Sequence, residues 1–192
     1  MVEVEKIKRL AASQDQPFDL QKIGHVVLRV TDLERSARFY TGVLGMKISD
    51  VYSEELAPGG MVFMRFNTDH HGIALVGGAP GPGERHELHH FAFEVATLDE
   101  VFRAREHLRR HQVPIVFEGR RRAGAQIAVE FLDPDGHNLE IYWGVDQVGS
   151  DQWVRPAEQW RGAASLEEAV AHPVPGQRPR LLDPTLLEHS RA

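Results

Sequence analysis

From Ile23 onward the apolar positions of this 192-residue chain fall into blocks that switch between strand and helix periodicity. The stretch Ile23-Gly24-His25-Val26-Val27-Leu28-Arg29-Val30 reads as a largely buried strand. Thr31-Asp32 then supplies N-cap oxygens for a helix running to about Leu44, and Gly45 stands where a helix C-terminus takes glycine. Three strand-like stretches follow at 46–52, 61–67 and 72–76, with turns at Pro58-Gly59-Gly60 and across 67–71. After Gly77-Gly78-Ala79-Pro80-Gly81-Pro82-Gly83 the order begins again. Residues 88–95 predict a strand, 98–112 a helix capped by Thr97, and 114–118, 126–132 and 138–142 three more strands. The turn Asp133-Pro134-Asp135-Gly136 joins the last two.

This is one βαβββ pattern written twice. At an offset of 65 residues Ile23/Leu88, His25/His90, Leu28/Phe93, Val30/Val95 and Leu33/Leu98 coincide, and near the ends His71/His137, Ile73/Leu139, Ala74/Glu140 and Gly78/Gly144 coincide at 66. Two copies are too few for a solenoid and predict a pseudo-symmetric pair sharing one core. The expected organisation is a lead-in over 1–20 ending near Pro17, a first module over 21–78, a linker over 79–87, a second module over 88–144 and an arm over 145–192. The arm is punctuated by Pro156, Pro173, Pro175, Pro179 and Pro184, with a short helix at 165–171 where Ser165 and Glu168 fit a capping box. Trp153 and Trp160 are its apolar anchors. It is expected to pack onto the body or a neighbouring subunit, a partly disordered terminus being the alternative.

Composition narrows the chemistry. With 42% hydrophobic and 26% charged residues the chain can bury a sizeable core. The absence of Cys excludes disulfides, Cys-ligated zinc, iron–sulfur clusters and a thiol nucleophile, so catalysis must run on nitrogen and oxygen ligands. A formal charge of −6 argues against a nucleic-acid binder. No apolar run approaches the ~20 residues of a membrane span. The start MVEVEKIKRLAAS lacks a signal-peptide core, and a cytoplasmic location is expected. Eleven His are the anomaly.

Three repeat-related positions carry the chemical signal. His25 and His90 occupy equivalent points on the first strand of each copy, where pseudo-symmetry lets residues facing the axis approach one another. Glu140 falls in the otherwise apolar run Leu139-Glu140-Ile141-Tyr142-Trp143, opposite Ala74 in the first copy. A carboxylate there is costly unless paired or metal-bound. Two His and one Glu with open positions form the facial set of non-haem Fe(II) and related octahedral metals. Singly, each residue is as readily a hydrogen-bonded core or surface side chain.

The pattern Gly24-His25-x5-Thr31-Asp32-Leu33, Phe39-Tyr40-x2-Val43-Leu44-Gly45-Met46, His90-Phe91-Ala92-Phe93-Glu94-Val95 and Asp133-Pro134-x-Gly136-x3-Glu140 resembles the vicinal oxygen chelate superfamily. This group includes glyoxalase I, fosfomycin-resistance enzymes, bleomycin-binding proteins and type I extradiol dioxygenases. The resemblance spans 23–144 and implies an α+β fold in which paired βαβββ modules form a cupped eight-stranded mixed sheet, with the arm as a C-terminal extension. It also implies a metal held by His25, His90 and Glu140. Within the superfamily, 67–75 and 89–99 resemble the catalytic module of extradiol dioxygenases, which implies that His71 handles substrate and oxygen protons. The fourth glyoxalase ligand is replaced by Ala74. Ring-cleaving enzymes carry a Tyr ten residues before the ligand Glu and a His nine before that Tyr; here these positions are Glu130 and Arg121. They also carry two such domains per chain, and this chain has one.

The remaining candidates are weaker. Arg121, from the run Arg120-Arg121-Arg122, and Tyr142 are the candidate substrate contacts; the run otherwise reads as a solvated loop. His86 and His89 flank the linker, with His89 expected to point away from His90. His107 and His111 read as an exposed helix face, and His137 as polar surface in a turn. Residues 77–83 lack the Lys and Ser/Thr of a phosphate loop.

The expected function is an extradiol dioxygenase-like enzyme that cleaves a catechol-type aromatic with O2. Its divalent metal is Fe(II) first, with Mn(II), Ni(II), Co(II) or Zn(II) as alternatives. A glyoxalase-like isomerase, lyase or thiol transferase on a Lewis-acid metal, with Glu130 as base, is the second expectation. A non-enzymatic aromatic-ligand or resistance protein is the third. The partners expected are a small aromatic substrate, O2 and a second copy in a homodimer that covers the sheet edges, with no nucleic acid and no membrane.

Overall fold

The computed structural model describes residues 3–11, 23, 25–81, 88–122, 124–147, 150, 153 and 155–187. Pro17, Gly24, and residues 82–87 of the linker with His86 lie outside the described residues. After a short helix α1 (Val4–Lys8), the first module runs β1 (Val26–Arg29), α2 (Leu33–Gly42), β2 (Lys47–Tyr52), β3 (Met61–Arg65) and β4 (Ile73–Val76). The second runs β5 (Phe91–Glu94), α3 (Leu98–Arg110), β6 (Ile115–Arg120), β7 (Ile127–Leu132) and β8 (Asn138–Trp143). The helix α4 (Leu166–Ala171) lies in the arm.

Local chemistry explains the helix limits. Asp32 accepts from the Arg35 amide at 3.0 Å to start α2, and Phe39 and Tyr40 form its buried stripe with Ser36. The helix stops at Gly42, two residues short of Leu44, and Gly45 at φ +69° turns the chain so that the Met46 amide donates back to the Tyr40 carbonyl. Thr97 and Glu100 close a reciprocal capping box on α3, which buries Leu98, Val101, Phe102 and Leu108 along one face.

The eight strands form two four-stranded mixed sheets with the same order, β1-β4-β3-β2 and β5-β8-β7-β6. In each, the first strand pairs in parallel with the last, Val26 with Ile73 and Phe91 with Leu139. The repeat reaches the irregularities too. The second and third strands of each module slip register once, between Ile48 and Asp50 and between Ile115 and Phe117, at an offset of 67. The α+β duplication is thus present, and Leu28, Met64, Leu75, Val101, Phe131 and Leu139 all lie in one core that spans both modules. β1 and β5 start later than the sequence predicts, so His25 and His90 sit just ahead of a strand, and His71 precedes β4 as expected.

Buried carboxylates in the β7–β8 turn join the modules. Asp135 accepts from the Thr31 amide at 2.8 Å, the Thr31 hydroxyl at 2.5 Å and the Ser36 hydroxyl at 2.6 Å, all from the start of α2. The Arg35 guanidinium lies 3.1 Å away. Asp133 accepts from the Tyr40 hydroxyl at 3.0 Å and from the amides of Asp135 and His137, with His137 Nδ1 at 2.8 Å. His137 is therefore a half-buried partner of Asp133 and not polar surface; its ring completes the shell of a carboxylate that has no access to water. His107 likewise meets the Val43 carbonyl at 3.0 Å across the modules, so only His111 fits the exposed face expected of that pair.

The arm packs onto the second module. Arg120, expected in a solvated loop, is 1% exposed. It donates to the carbonyls of Arg161, Ala169 and His172 and to Gln177 Oε1, which explains its burial: the arm wraps its charge in acceptors. Gly119, at φ +130°, gives the arm room, because a Cβ there would strike the Ala163 carbonyl. Ser165 caps α4 by accepting from the Glu168 amide, and Asp99 accepts the amides of Leu182 and Asp183.

The turn gives stability a two-sided pH dependence. Burial alone would lift the Asp135 pKa, but hydrogen bonds from Ser36, Thr31 and Arg35 outweigh it and hold the carboxyl below its ordinary value. That contribution is complete above the unfolded value of about 4 and is lost as pH falls through the folded one. The hydrogen bond to Asp133 lifts His137 against the opposing effect of burial. Its contribution is complete below about 6.5 and is lost as pH rises through the raised value. Urea midpoints measured against pH are expected to fall toward acid as Asp135 takes up its proton and toward alkali as His137 loses its own, and His137→Gln to remove much of the alkaline fall while leaving the acid one. An alkaline limb unchanged in His137→Gln would show that the Asp133 pairing is not its source.

Candidate functional site

Strand pairing gathers the candidate residues of the second module on one face. Glu140 on β8 stands opposite Ala92 on β5 and Glu130 on β7, Glu130 stands opposite Phe117 on β6, and Tyr142 opposite Ala128. Side chains of directly paired residues share a side, so Phe117, Glu130, Glu140 and Tyr142 face the same way. The opposite face, with Val129, Phe131 and Leu139, goes to the core.

Glu140 is 2% exposed. His90 Nε2 lies 3.3 Å from its Oε2, while its Oε1 is buried with no hydrogen-bond partner. Burial raises the Glu140 pKa and the nearby Glu130 charge adds to this, with His90 opposing. Glu130 is also buried, yet Arg121 grips it with both edges of its fork, Nε to Oε1 at 2.7 Å and Nη2 to Oε2 at 2.9 Å. Burial works to raise the Glu130 pKa, and the Arg121 hydrogen bonds and charge overcome it and hold the group ionised. The guanidinium lies over the Phe117 ring, 3.6 Å from its centre. Burial and the charges of Glu94 and Glu140 raise Tyr142, which keeps its hydroxyl as a donor.

The first module contributes a cluster of rings. His25 and His71 stand 4.6 Å apart between ring centres, and Phe63 meets His71 edge-on at 5.1 Å. His70 Nδ1 and His71 Nδ1 are 3.0 Å apart. Burial, then the neighbouring His25 and His70, lower the His71 pKa, so its ring is neutral at pH 7 and able to accept a proton. His89 does not point away from His90: their Nδ1 atoms are 2.6 Å apart, because both lie ahead of β5, where strand alternation does not apply.

The structure thus brings the sequence-derived residues together as two groups, His90–Glu140–Glu130–Arg121 and His25–His71. Among the described residues, no three His, Asp or Glu side chains stand as a ready metal cage. The donor chemistry nevertheless fits a divalent cation at the His90–Glu140 edge, where an imidazole nitrogen meets a buried carboxylate with an unused oxygen. Phe63 and Phe117 escaped the sequence reading. Phe63 lies at the same slipped register as Glu130, and only the repeated bulge, invisible in composition, equates them. Asn138, whose buried Oδ1 also lacks a partner, left no signal at all.

Comparison with known proteins agrees with the fold. The family model described as the glyoxalase/bleomycin resistance protein/dioxygenase superfamily matches residues 22–141, and the chain belongs to that superfamily. A 3-methylcatechol 2,3-dioxygenase of Pseudomonas putida is 30% identical over 131 residues, 67% of this chain and 44% of the relative. An iron-dependent extradiol dioxygenase of Rhodococcus jostii is 30% identical over 146 residues, 70% of this chain and 47% of the relative. The chain thus spans about half the length of these curated relatives. The glyoxalase I structure of Leishmania major superposes with a TM-score of 0.52 at 25% identity, covering 65% of this chain and 88% of that one.

A carboxylate raised by burial opposes folding at neutral pH unless a ligand neutralises it. Glu140→Gln, which keeps the shape and removes the charge, is expected to stabilise chelator-treated protein by about 1–2 kcal/mol at pH 7 in urea unfolding. A clear loss of stability would mean that Glu140 is already well paired.

Proposed function

We propose that the chain is an extradiol dioxygenase-like enzyme acting on a small catechol-type aromatic with O2. The observation that carries this reading is the buried Glu140, whose Oε1 is unpartnered while His90 Nε2 meets its Oε2 at 3.3 Å. His25, His90 and Glu140 would hold a divalent metal, Fe(II) first and Mn(II), Ni(II), Co(II) or Zn(II) as alternatives. When bound, such a metal chelates two vicinal oxygens and lowers the pKa of their hydroxyls. The likeness to the two dioxygenases supports the substrate class, and the iron dependence of the Rhodococcus jostii relative supports the metal.

In this reading the protein's own groups position the substrate and move its proton. The neutral His71 ring, held against His25 and Phe63, accepts a substrate hydroxyl proton. The Tyr142 hydroxyl donates to a substrate oxygen, and the Phe117 ring with Arg121 stacked on it walls the second-module side.

Glu130 favours a second reading. Ionised and fixed by Arg121, it cannot donate a hydrogen bond as a Tyr hydroxyl would, but it can accept a proton. That supports a Lewis-acid isomerase, lyase or thiol transferase on the same scaffold, as does the likeness to glyoxalase I. Homodimerisation belongs to the proposal, supported by exposed Val27, Ile48, Val51 and Phe66. No helix among the described residues is long and apolar enough to cross a membrane. A cytoplasmic location is part of the proposal and rests on the sequence reading alone.

Metal content of anaerobically purified protein, coupled to oxygen uptake with catechols, tests this. Bound iron with substrate-dependent uptake is expected. His90→Ala and Glu140→Gln are expected to lose the metal, and His71→Ala to keep it while turnover falls by about 10²–10⁴. Bound metal with turnover but no oxygen uptake would transfer the assignment to the second reading, and ligand binding indifferent to chelator would leave a binding protein.

A further inference from the structure

The floor around His90 has a lopsided charge arrangement. Glu130 and Glu140 are direct cross-strand neighbours, both buried, and the partly exposed Arg121 is bound to Glu130. Arg121 is hydrogen-bonded to Glu130, and His90 lies against Glu140. Its Nε–Nη2 edge, the one that takes a carboxylate in fork geometry, is already filled by Glu130. Phe117 fixes the guanidinium plane from the other side. With Glu140 assigned to the metal, Glu130 and Arg121 remain as a closed ion pair whose fork edge is not free for a second anion. The buried polar atoms without partners, Glu140 Oε1, Gln126 Oε1 and Asn138 Oδ1, are all acceptors.

A floor of this kind meets hydroxyl or amino donors well and a second anion badly. Resting on the catechol reading above, we propose that Glu130 is a specificity-determining residue: by occupying Arg121 it makes the site select diols without an anionic ring substituent. Specificity here comes from exclusion. A ring carboxylate entering this floor would meet the Glu130 carboxylate while the guanidinium suited to it is engaged. Removing the Glu130 carboxylate frees that fork, held on Phe117, as a ready receptor for a carboxylate. The same residue that keeps acids out is therefore the one whose loss admits them.

Anaerobic calorimetric titration of the metal-loaded protein reads affinity without turnover. Wild type is expected to bind catechol at least roughly tenfold tighter than 3,4-dihydroxybenzoate. Glu130→Ala is expected to shrink or invert that ratio by a further factor of about ten, and Arg121→Ala/Glu130→Ala to lose the gain. Arg121→Ala alone, which leaves the Glu130 carboxylate without its counter-charge, is expected to reject the acid more strongly than wild type. Equal wild-type affinity for the two diols overturns the proposal without any variant. So does a folded Glu130→Ala protein, judged by its melting transition, that gains nothing for the acid, or an Arg121→Ala protein that binds the acid better. If metal-loaded wild type binds neither diol, the catechol reading itself falls and takes this inference with it, a result distinct from equal binding.

Discussion

Asp133 and Asp135 lie almost wholly out of water, and a carboxylate so placed destabilises a fold unless donors surround it. The donors come from both modules. The start of α2 brings the Thr31 amide and hydroxyl and the Ser36 hydroxyl to Asp135, and its body brings the Tyr40 hydroxyl to Asp133. The turn's own amides and His137 supply the remainder. Undocking the modules would strand both charges, so the packing is specified as well as stabilised. The consequence reaches the site. The same turn ends β7 and begins β8, the strands that carry Glu130 and Glu140. Where α2 holds the turn, it also fixes the level of both carboxylates relative to the first module and its His25–His71 pair.

The same rule governs the arm. Arg120 and Arg155 are buried cations, and each is answered by oxygens. Arg120 takes three arm carbonyls and Gln177; Arg155 takes both oxygens of Asp146 and the Pro175 carbonyl. Against that habit Glu140 is an exception, a buried carboxylate with one oxygen unanswered. Natural folds break their own local rules mainly where function demands it. That contrast within one molecule weighs more for Glu140 than its burial alone.

What the sequence disclosed followed from periodicity, and what it hid followed from distance along the chain. The βαβββ repeat, the caps at Asp32, Thr97 and Ser165, and the glycine ending α2 are local signals, readable within a few residues. The carboxylate inside Leu139–Trp143 was legible for the same reason, since a charge in an apolar strand stands out. Arg120 and His137 were misread as surface because their partners lie 41 to 57 residues away in the arm, or in a turn whose burial depends on α2. A charged side chain in a hydrophilic stretch carries no mark of what will cover it. His25, His71 and His90 were visible as repeat positions; their division into His25–His71 and His90–Glu140 was not, because it depends on how the module faces meet.

Duplication sharpens the site further. The two copies agree in strand order, in register and in the bulge of the second strand, so differences at matched positions stand out against a nearly constant backbone. Three such differences fall on one face. Ala74 in the first module corresponds to Glu140, Phe63 to Glu130, and Asp50 to Phe117. On the paired strands that bear Glu140 and Glu130, the first copy offers a methyl group and an aromatic ring where the second offers two carboxylates. The acidic pair therefore belongs to the second module, and the first keeps its apolar counterpart.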